Sequence, residues 1–294
     1  MVMAPVAEIV RMHELRMQAH AGFFDLGDPS DKRRSAAALV DLYFALLAAL
    51  NPPLFIEAGA RGAAVSFRVR KLFPDCRIVA FEPNPYNIEH YRQRFDYGKK
   101  RVVYEHLALA DMPAELPFFV RKSVNGVSLP MVIGRNSLLK RTEPNTVYEE
   151  VQVRAVRLDD YFPPDAANNC CVWIDVEGGT GKVIAGGKRL LGQTQVLMIE
   201  VEDRPLWEDQ WLATQVLEVL YPLGLVPVAR DFEWWPDNYN IVCLRESLLV
   251  RPDIRLAIDQ FYSNAGRSTL KPKPEPKRRN LLQHLLALFS RTRP

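Results

Sequence analysis

From residue 54 onward the chain alternates short, continuously apolar runs with longer stretches of helical periodicity, and this rhythm restricts the fold more than any other feature. The runs are LFIEA (54–58), CRIVAFE (76–82), RVVYEHLAL (101–109), CVWIDV (171–176), VLMIEVE (196–202), GLVPVAR (224–230) and YNIVCLR (239–245). A strand that is apolar on both faces has to be covered on both faces, and the helices between the runs supply the cover. The pattern therefore predicts a doubly wound, largely parallel α/β sheet. Helices are expected in VSFRVRKLF, PYNIEHYRQRF, TGKVIAGGKRLL and WLATQVLEVLYPL. The last two runs, separated only by DFEWWPDN, predict an antiparallel pair at the sheet edge. Residues 112–170 interrupt the rhythm with ELPFFVRK, NGVSLP and VQVRAVRL, which read as a β-rich insertion between the third and fourth strands. An insertion there lies near the carboxyl ends of the strands, where α/β proteins bind ligands.

Upstream, residues 6–20 and 33–50 space their apolar residues by three and four, predicting two amphipathic helices with GDPSD as the turn and helix start between them. At 294 residues and 48% hydrophobic composition the chain suits one large domain with terminal additions. The expected division is a helical extension over 1–50, a central domain over 51–250 and a C-terminal part over 251–294. The last of these holds a helix, a basic Pro-rich linker and a short amphipathic helix.

Charge is unevenly placed. Residues 271–294 hold seven basic residues against one acid, a net +6 in a chain whose total is +3, so the rest carries −3. The body is thus not a phosphate-backbone binder, which argues against nucleic acid as partner. The tail, with Leu281, Leu282, Leu285, Leu286, Leu288 and Phe289 beside its basic residues, is suited to peripheral contact with an anionic membrane surface; packing on protein or disorder is the plainer reading. No run reaches the ~20 apolar residues of a membrane span. The cysteines, Cys76, Cys170, Cys171 and Cys243, show neither CxxC nor metal-type spacing and read as reduced core residues of an intracellular, cytoplasmic protein.

Two carboxylates frame the first turn of the sheet. Glu57 falls at the end of the first run and is followed by Gly59, Ala60, Arg61 and Gly62; Glu82 ends the second run, 25 residues on. Small residues let backbone N–H groups approach a ligand, and an acid at the end of the second strand is placed to accept hydrogen bonds from ribose hydroxyls. A dinucleotide would want G-x-G-x-x-G and would be repelled by an acid near its diphosphate. S-adenosylmethionine has no phosphate and carries a sulfonium and an ammonium, so it tolerates Glu57.

The motifs FIEAGARGA, VAFEPNP, LALAD, RNSL, VRLDDYF and WIDVEGG follow one another as in the FkbM-type S-adenosylmethionine-dependent methyltransferases, which the chain resembles over about residues 54–245. The resemblance implies a class I methyltransferase (Rossmann-like) fold, a seven-stranded doubly wound sheet whose last strand is antiparallel. It implies methyl transfer, typically to oxygen on sugars, glycolipids or polyketides. By position it places the cofactor at Glu57, Gly59, Ala60, Arg61, Gly62, Glu82, Pro83 and Asn84, with adenine near Ala108, Leu109 and Asp111. Family members often have Asp at position 57, Asn at position 61 and an acid at position 180, where this chain has Glu57, Arg61 and Thr180.

Asp175 and Glu177 end the fourth strand, and Glu200 and Glu202 the fifth, so all four can crowd the transferred methyl group. Removing a hydroxyl proton as the new bond forms is work for a carboxylate. Asp175 is the first candidate base, with Glu177 and Glu200 beside it; Mg2+ held by these acids is the lesser alternative. Glu202, and less so Glu200, also reads as a salt-bridge partner of Arg204 and Lys188. Asn136 and Ser137 read equally as acceptor contacts and turn formers. Trp234 and Trp235 read equally as a platform for a sugar ring and as edge packing. Trp173, in mid-strand, reads as core. An O-methyltransferase acting on a saccharide or glycoconjugate is the leading reading; an NAD(P)-dependent oxidoreductase and a catalytically lapsed methyltransferase-like binding protein are the alternatives.

Overall fold

The computed structural model describes residues 6–264 except 133 and 167, so the basic tail and its apolar face lie outside the described residues. Two helices open the chain, α1 (Val6–His20) and α2 (Pro29–Leu50). Helix α2 begins four residues earlier than its apolar periodicity indicates, because Asp28 caps it by accepting a hydrogen bond from the Ser30 amide (2.9 Å) and Pro29 takes the first helical position. It stops at Asn51, whose backbone is left-handed (φ 46°) ahead of two prolines.

The alternating region then builds β1 (Leu54–Ala58), α3 (Ala64–Leu72), β2 (Arg77–Phe81), α4 (Pro85–Arg92), β3 (Val103–Glu105) and β4 (Ala108–Leu109). The insertion follows as β5 (Ala114–Val124), β6 (Val127–Ser128) and β7 (Thr146–Val156). The chain returns through α5 (Leu158–Tyr161), β8 (Cys171–Ile174), α6 (Thr180–Ala185), α7 (Lys188–Leu191), β9 (Val196–Glu202), α8 (Ala213–Leu220), β10 (Leu225–Arg230), β11 (Asn238–Arg245) and α9 (Pro252–Asn264). The main sheet runs β10-β11-β9-β8-β1-β2-β3, with β11 antiparallel to both of its neighbours.

Several expectations change in detail. The antiparallel pair forms, but β11 is wedged inside the sheet between β9 and β10, so only β10 is an edge. The third apolar run is divided: β3 completes the main sheet, while β4 turns away to pair with β7 in a second sheet, ordered β4-β7-β5-β6. The helix expected over 180–191 breaks into α6 and α7 at Gly186–Gly187. There the chain passes so close to Ala110 that a Cβ on Gly186 would lie 2.0 Å from its carbonyl oxygen.

Each face of the main sheet has its own core. Leu39, Tyr43, Leu46 and Leu47 of α2 pack with Phe55, Ile78 and Cys171, together with Ile254 and Ile258 of α9. On the opposite face Val183, Leu190, Val216 and Leu220 pack with Ile56, Val172 and Leu197. The buried Tyr43 hydroxyl donates to the Val172 carbonyl (3.0 Å), fixing α2 to the middle of the sheet. All four cysteines are buried and free. Among the described residues no helix is long and apolar enough to cross a membrane.

Glu57 is the fourth residue of β1 and is 4% exposed. One of its carboxylate oxygens accepts from the Ser66 amide (2.9 Å) and from the Ser66 hydroxyl in the first turn of α3. Burial pushes its carboxyl up to about 7, and the nearby charges of Asp175 and Glu82 add to the rise, against the lowering effect of the Ser66 bonds. A carboxyl whose pKa is raised on folding stabilises the folded state below its unfolded value, and that contribution is lost as pH rises through about 7. At 1.36 kcal/mol per pKa unit the loss is on the order of 3 kcal/mol. Urea unfolding is therefore expected to give a stability that falls between pH 5 and pH 8, and Glu57→Gln, which keeps the acceptor and cannot ionise, is expected to flatten that slope. An unchanged slope would assign the pH dependence to other groups.

Candidate active site

The carboxyl ends of β1, β2 and β8 are tied together by backbone bonds. The Asp175 amide donates to the Ala58 carbonyl (3.0 Å), and the Gly59 and Ala60 amides both donate to the Phe81 carbonyl (3.0 and 2.8 Å). Gly59 has φ +80°, and a Cβ there would lie 1.7 Å from the Asp175 carbonyl oxygen, so no side chain fits at the crossing. Gly62 serves packing too, since a Cβ there would meet the Tyr91 ring at 2.7 Å.

Above this crossing lies a cavity of about 240 Å³. Its apolar wall is formed by Phe81, Leu107, Ala108, Leu109, Phe118 and Leu138; its polar wall by Glu82, Asn87, Arg61, Arg135, Asn136, Asp175 and Glu177; and Gly59, Pro83, Gly134, Val176 and Gly179 complete it. Of the residues expected here, Gly59, Arg61, Glu82, Pro83, Ala108 and Leu109 are on the wall. Others are turned to the protein. Glu57 faces α3, and Asn84 caps α4 by accepting from the Tyr86 amide (3.0 Å). Ala60 and Gly62 belong to the turn, and Asp111 lies outside, 4.0 Å from Lys182.

Glu82 is 4% exposed. Its Oε1 accepts from the Asn84 amide (2.9 Å) and the Asn87 side chain (3.1 Å), and its Oε2 accepts from the Arg61 amide (2.6 Å). A carboxylate has about four acceptor positions, so one remains for a ligand hydroxyl rather than the two expected. Burial raises its pKa, against these hydrogen bonds. Three wall residues, Arg61, Arg135 and Glu177, hold left-handed backbone (φ 51°, 63° and 53°). Such conformations cost on the order of 1–3 kcal/mol each and gather at functional sites.

A second cavity, of about 460 Å³, adjoins the first and shares Arg135, Asp175 and Glu177 with it. Glu200, Asp231, Glu233, Asp237, Asn238 and Asn240 line it, with Arg141 and the aromatic walls Trp173 and Trp234. Trp173 is thus not simply core: its ring packs edge-on against Tyr43 (5.3 Å, 89°) while also walling the cavity. Trp234 is on the wall, whereas Trp235 packs inward against Tyr239 (6.1 Å). Asn136 lines the first cavity, its Oδ1 accepting from the Arg121 amide (2.9 Å); Ser137 is buried, its Oγ accepting from the Leu139 amide (3.2 Å).

Asp175 and Glu200 are hydrogen-bonded to each other, and Asn238 donates to Glu200 at 2.6 Å. Desolvation raises both carboxyls, and the charges of Asp175, Glu177 and Glu202 add to the rise of Glu200. Asp175 is nonetheless open to water through the cavities, which tempers its rise. Glu177 accepts from the Arg135 amide (3.0 Å). The salt bridges expected of Glu200 and Glu202 are absent among the described residues: Arg204 pairs with Asp237 (3.2 Å), and buried Glu202 leaves its Oε2 without a partner. Thr180 is buried with its hydroxyl donating to the Glu200 carbonyl (3.1 Å), so position 180 faces neither cavity. Among the described residues no group of three or more His, Cys, Asp or Glu side chains is arranged to hold a metal ion.

Sequence reasoning missed Asn87, Arg135 and Phe118 in the first cavity and Arg141, Asp231, Glu233 and Asn240 in the second. The polar loop DFEWWPDN between two apolar runs was the available signal for Asp231 and Glu233.

A β3-β2-β1-β8-β9-β11-β10 sheet with one reversed strand is the fold of the class I methyltransferases, and a cavity lies over its first turn. The family model described as the methyltransferase FkbM domain matches residues 57–231. The chain is 24% identical over 181 residues to the 2-O-methyltransferase NoeI of Sinorhizobium fredii, covering 59% of this chain and 73% of that protein. It is 25% identical over 224 residues to the methyltransferase sdnD of Sordaria araneosa, covering 66% and 81%. The crystal structure of methyltransferase FkbM from Methylobacillus flagellatus aligns with a TM-score of 0.38 at 10% identity, over 65% of this chain and 44% of that one, so this chain spans under half of its length. The chain belongs to the FkbM family and is an S-adenosylmethionine-dependent methyltransferase.

Gly59→Ala is expected to destabilise the fold by about 3 kcal/mol or more, combining a left-handed backbone with a clash against main chain. Gly126→Ala is the control, with φ +77° and nothing within 4 Å of its Cβ, and is expected to cost about 1 kcal/mol. Equal losses in urea unfolding would remove the crossing from its structural role.

Proposed function

We propose that the chain transfers a methyl group from S-adenosylmethionine to a hydroxyl of a saccharide or glycoconjugate. The observation that carries this reading is the placement of Asp175 on the wall common to both cavities, where one carboxylate faces donor and acceptor together. The residues of the first cavity fit the methyl donor. Phe81, Leu107, Leu109 and Phe118 offer an apolar slot for adenine, Glu82 keeps an acceptor position for a ribose hydroxyl, and Asp175 and Glu177 bring negative charge to a cationic ligand. Bound there, the cofactor supplies an electrophilic methyl group.

The second cavity supports a polyol acceptor: carboxylates and the amides of Asn238 and Asn240 can bond hydroxyls, and Trp234 and Trp173 present flat faces for C–H groups. NoeI, named a 2-O-methyltransferase, is consistent with oxygen as the target. Asp175 takes the hydroxyl proton as the oxygen–methyl bond forms and the sulfur–methyl bond breaks. Glu200, itself held by Asn238, positions Asp175 for this. A carboxyl raised toward the working pH is a better base than an ordinary one. We place the enzyme in the cytoplasm, and the basic, leucine-bearing sequence of residues 271–294 suits contact with an anionic surface.

Calorimetric titration with S-adenosylhomocysteine tests the donor site. Binding is expected in the full chain and at least about tenfold weaker in Glu82→Ala, given ~1.5–3 kcal/mol for a hydrogen bond to a charged group. An unchanged dissociation constant in the folded variant would take Glu82 out of the site.

Asp175→Asn is expected to preserve that binding and lower methyl transfer to saccharide acceptors ~10²- to 10⁴-fold. The wild-type rate is expected to rise with pH as Asp175 loses its proton, and the variant's residual rate to lose that rise. Turnover near wild type would clear Asp175 of the role. Recovery on adding Mg2+ would point to a metal, and donor binding without transfer to any acceptor to a binding protein.

A further inference from the structure

The second cavity is short of positive charge. Six carboxyl groups line it against the guanidinium groups of Arg135 and Arg141. Most of the six are engaged: Asp175 with Glu200, Glu177 with the Arg135 amide, and Asp237 with Arg204. Both cations are engaged as well, Arg135 lying 5.1 Å over the Trp234 ring and Arg141 4.9 Å over that of Trp207.

That leaves Asp231 and Glu233, at the start of the segment joining β10 to β11. Asp231 is 1% exposed, and its two oxygens accept from the Asn240 amide (2.9 Å) and the Asn240 side chain (3.0 Å). The Glu233 amide is a third donor to it, and of the about four acceptor positions of a carboxylate one remains for a ligand. Among the described residues neither Asp231 nor Glu233 is in an ion pair; burial raises the pKa of both, and the charge of Arg33, beyond ion-pair distance, offsets part of the rise at Glu233. A desolvated carboxylate with spare acceptor capacity and no paired cation favours a ligand that brings the cation.

Resting on the reading of this cavity as the acceptor site, we infer that the acceptor is a polyhydroxylated ring bearing a protonated amine, which Asp231 and Glu233 bind while Trp234 and Trp173 flank the ring. An amine there makes charge-assisted hydrogen bonds, about twice as strong as those of a neutral hydroxyl or amide. A phosphate or carboxylate adds like charge to an already acidic wall and is disfavoured.

The test uses the full chain saturated with S-adenosylhomocysteine and titrated with glucosamine, N-acetylglucosamine and glucuronate, slightly below neutral pH and at low salt. Glucosamine is expected to bind about tenfold more tightly than N-acetylglucosamine, with glucuronate weakest. The preference is expected to shrink at high salt and to fall severalfold in Glu233→Gln, while S-adenosylhomocysteine affinity stays at the wild-type value. Equal affinity for the amine and its N-acetyl form, tighter binding of glucuronate, or no binding of any probe by a chain that still binds S-adenosylhomocysteine would overturn the inference and leave the donor site standing. Loss of S-adenosylhomocysteine binding by the unmodified chain would overturn both.

Discussion

The contact between Gly59 and the Asp175 carbonyl governs the rest of the structure. The turn after β1 and the turn after β8 cross where only a hydrogen atom fits between them. This closeness lets the Asp175 amide bond the Ala58 carbonyl and carries the chain after β8 over the end of β1. It puts Asp175 and Glu177 above the sheet, between the two cavities, and not along its edge. A wider crossing would set the carboxylates apart and leave two unconnected hollows.

The insertion and the reversed strand build opposite sides of the same region. Segment 134–138, stitched to β5 through the Phe119–Ser137 pairing and to Glu177 through Arg135, covers the first cavity. The β10–β11 segment, brought in because β11 lies against β9, closes the second cavity. Arg135 over Trp234 joins the two.

The sheet was legible because its strands are apolar on both faces, and the turn after β1 because glycines interrupt an apolar run. Side-chain direction was not. Glu57 and Glu82 look equivalent in sequence, each an acid near the end of a run, yet Glu57 lies within β1 and points to α3 while Glu82 lies one residue past β2 and faces the cavity. Trp173 sits in mid-strand, yet it is only part-buried and lines the second cavity. Asp231 and Glu233 lie far along the chain from Asp175, and only the wedging of β11 into the sheet brings them near. Periodicity reports which segments are buried; it does not report which distant loops meet.

With Asp175 as the proposed base, its pairing with Glu200 bears on the charge balance of a turnover. Methyl transfer to a hydroxyl converts a cationic sulfonium into a neutral thioether and liberates one proton. A pair of carboxyls with too few cations around it is suited to retain that proton, so the summed charge between the two cavities is the same before and after the bond is made. The site then returns to its starting state only when the proton leaves to water, through the opening that keeps Asp175 in contact with solvent. On the proposed assignment of Asp175 as the base, that departure is a step every turnover has to complete.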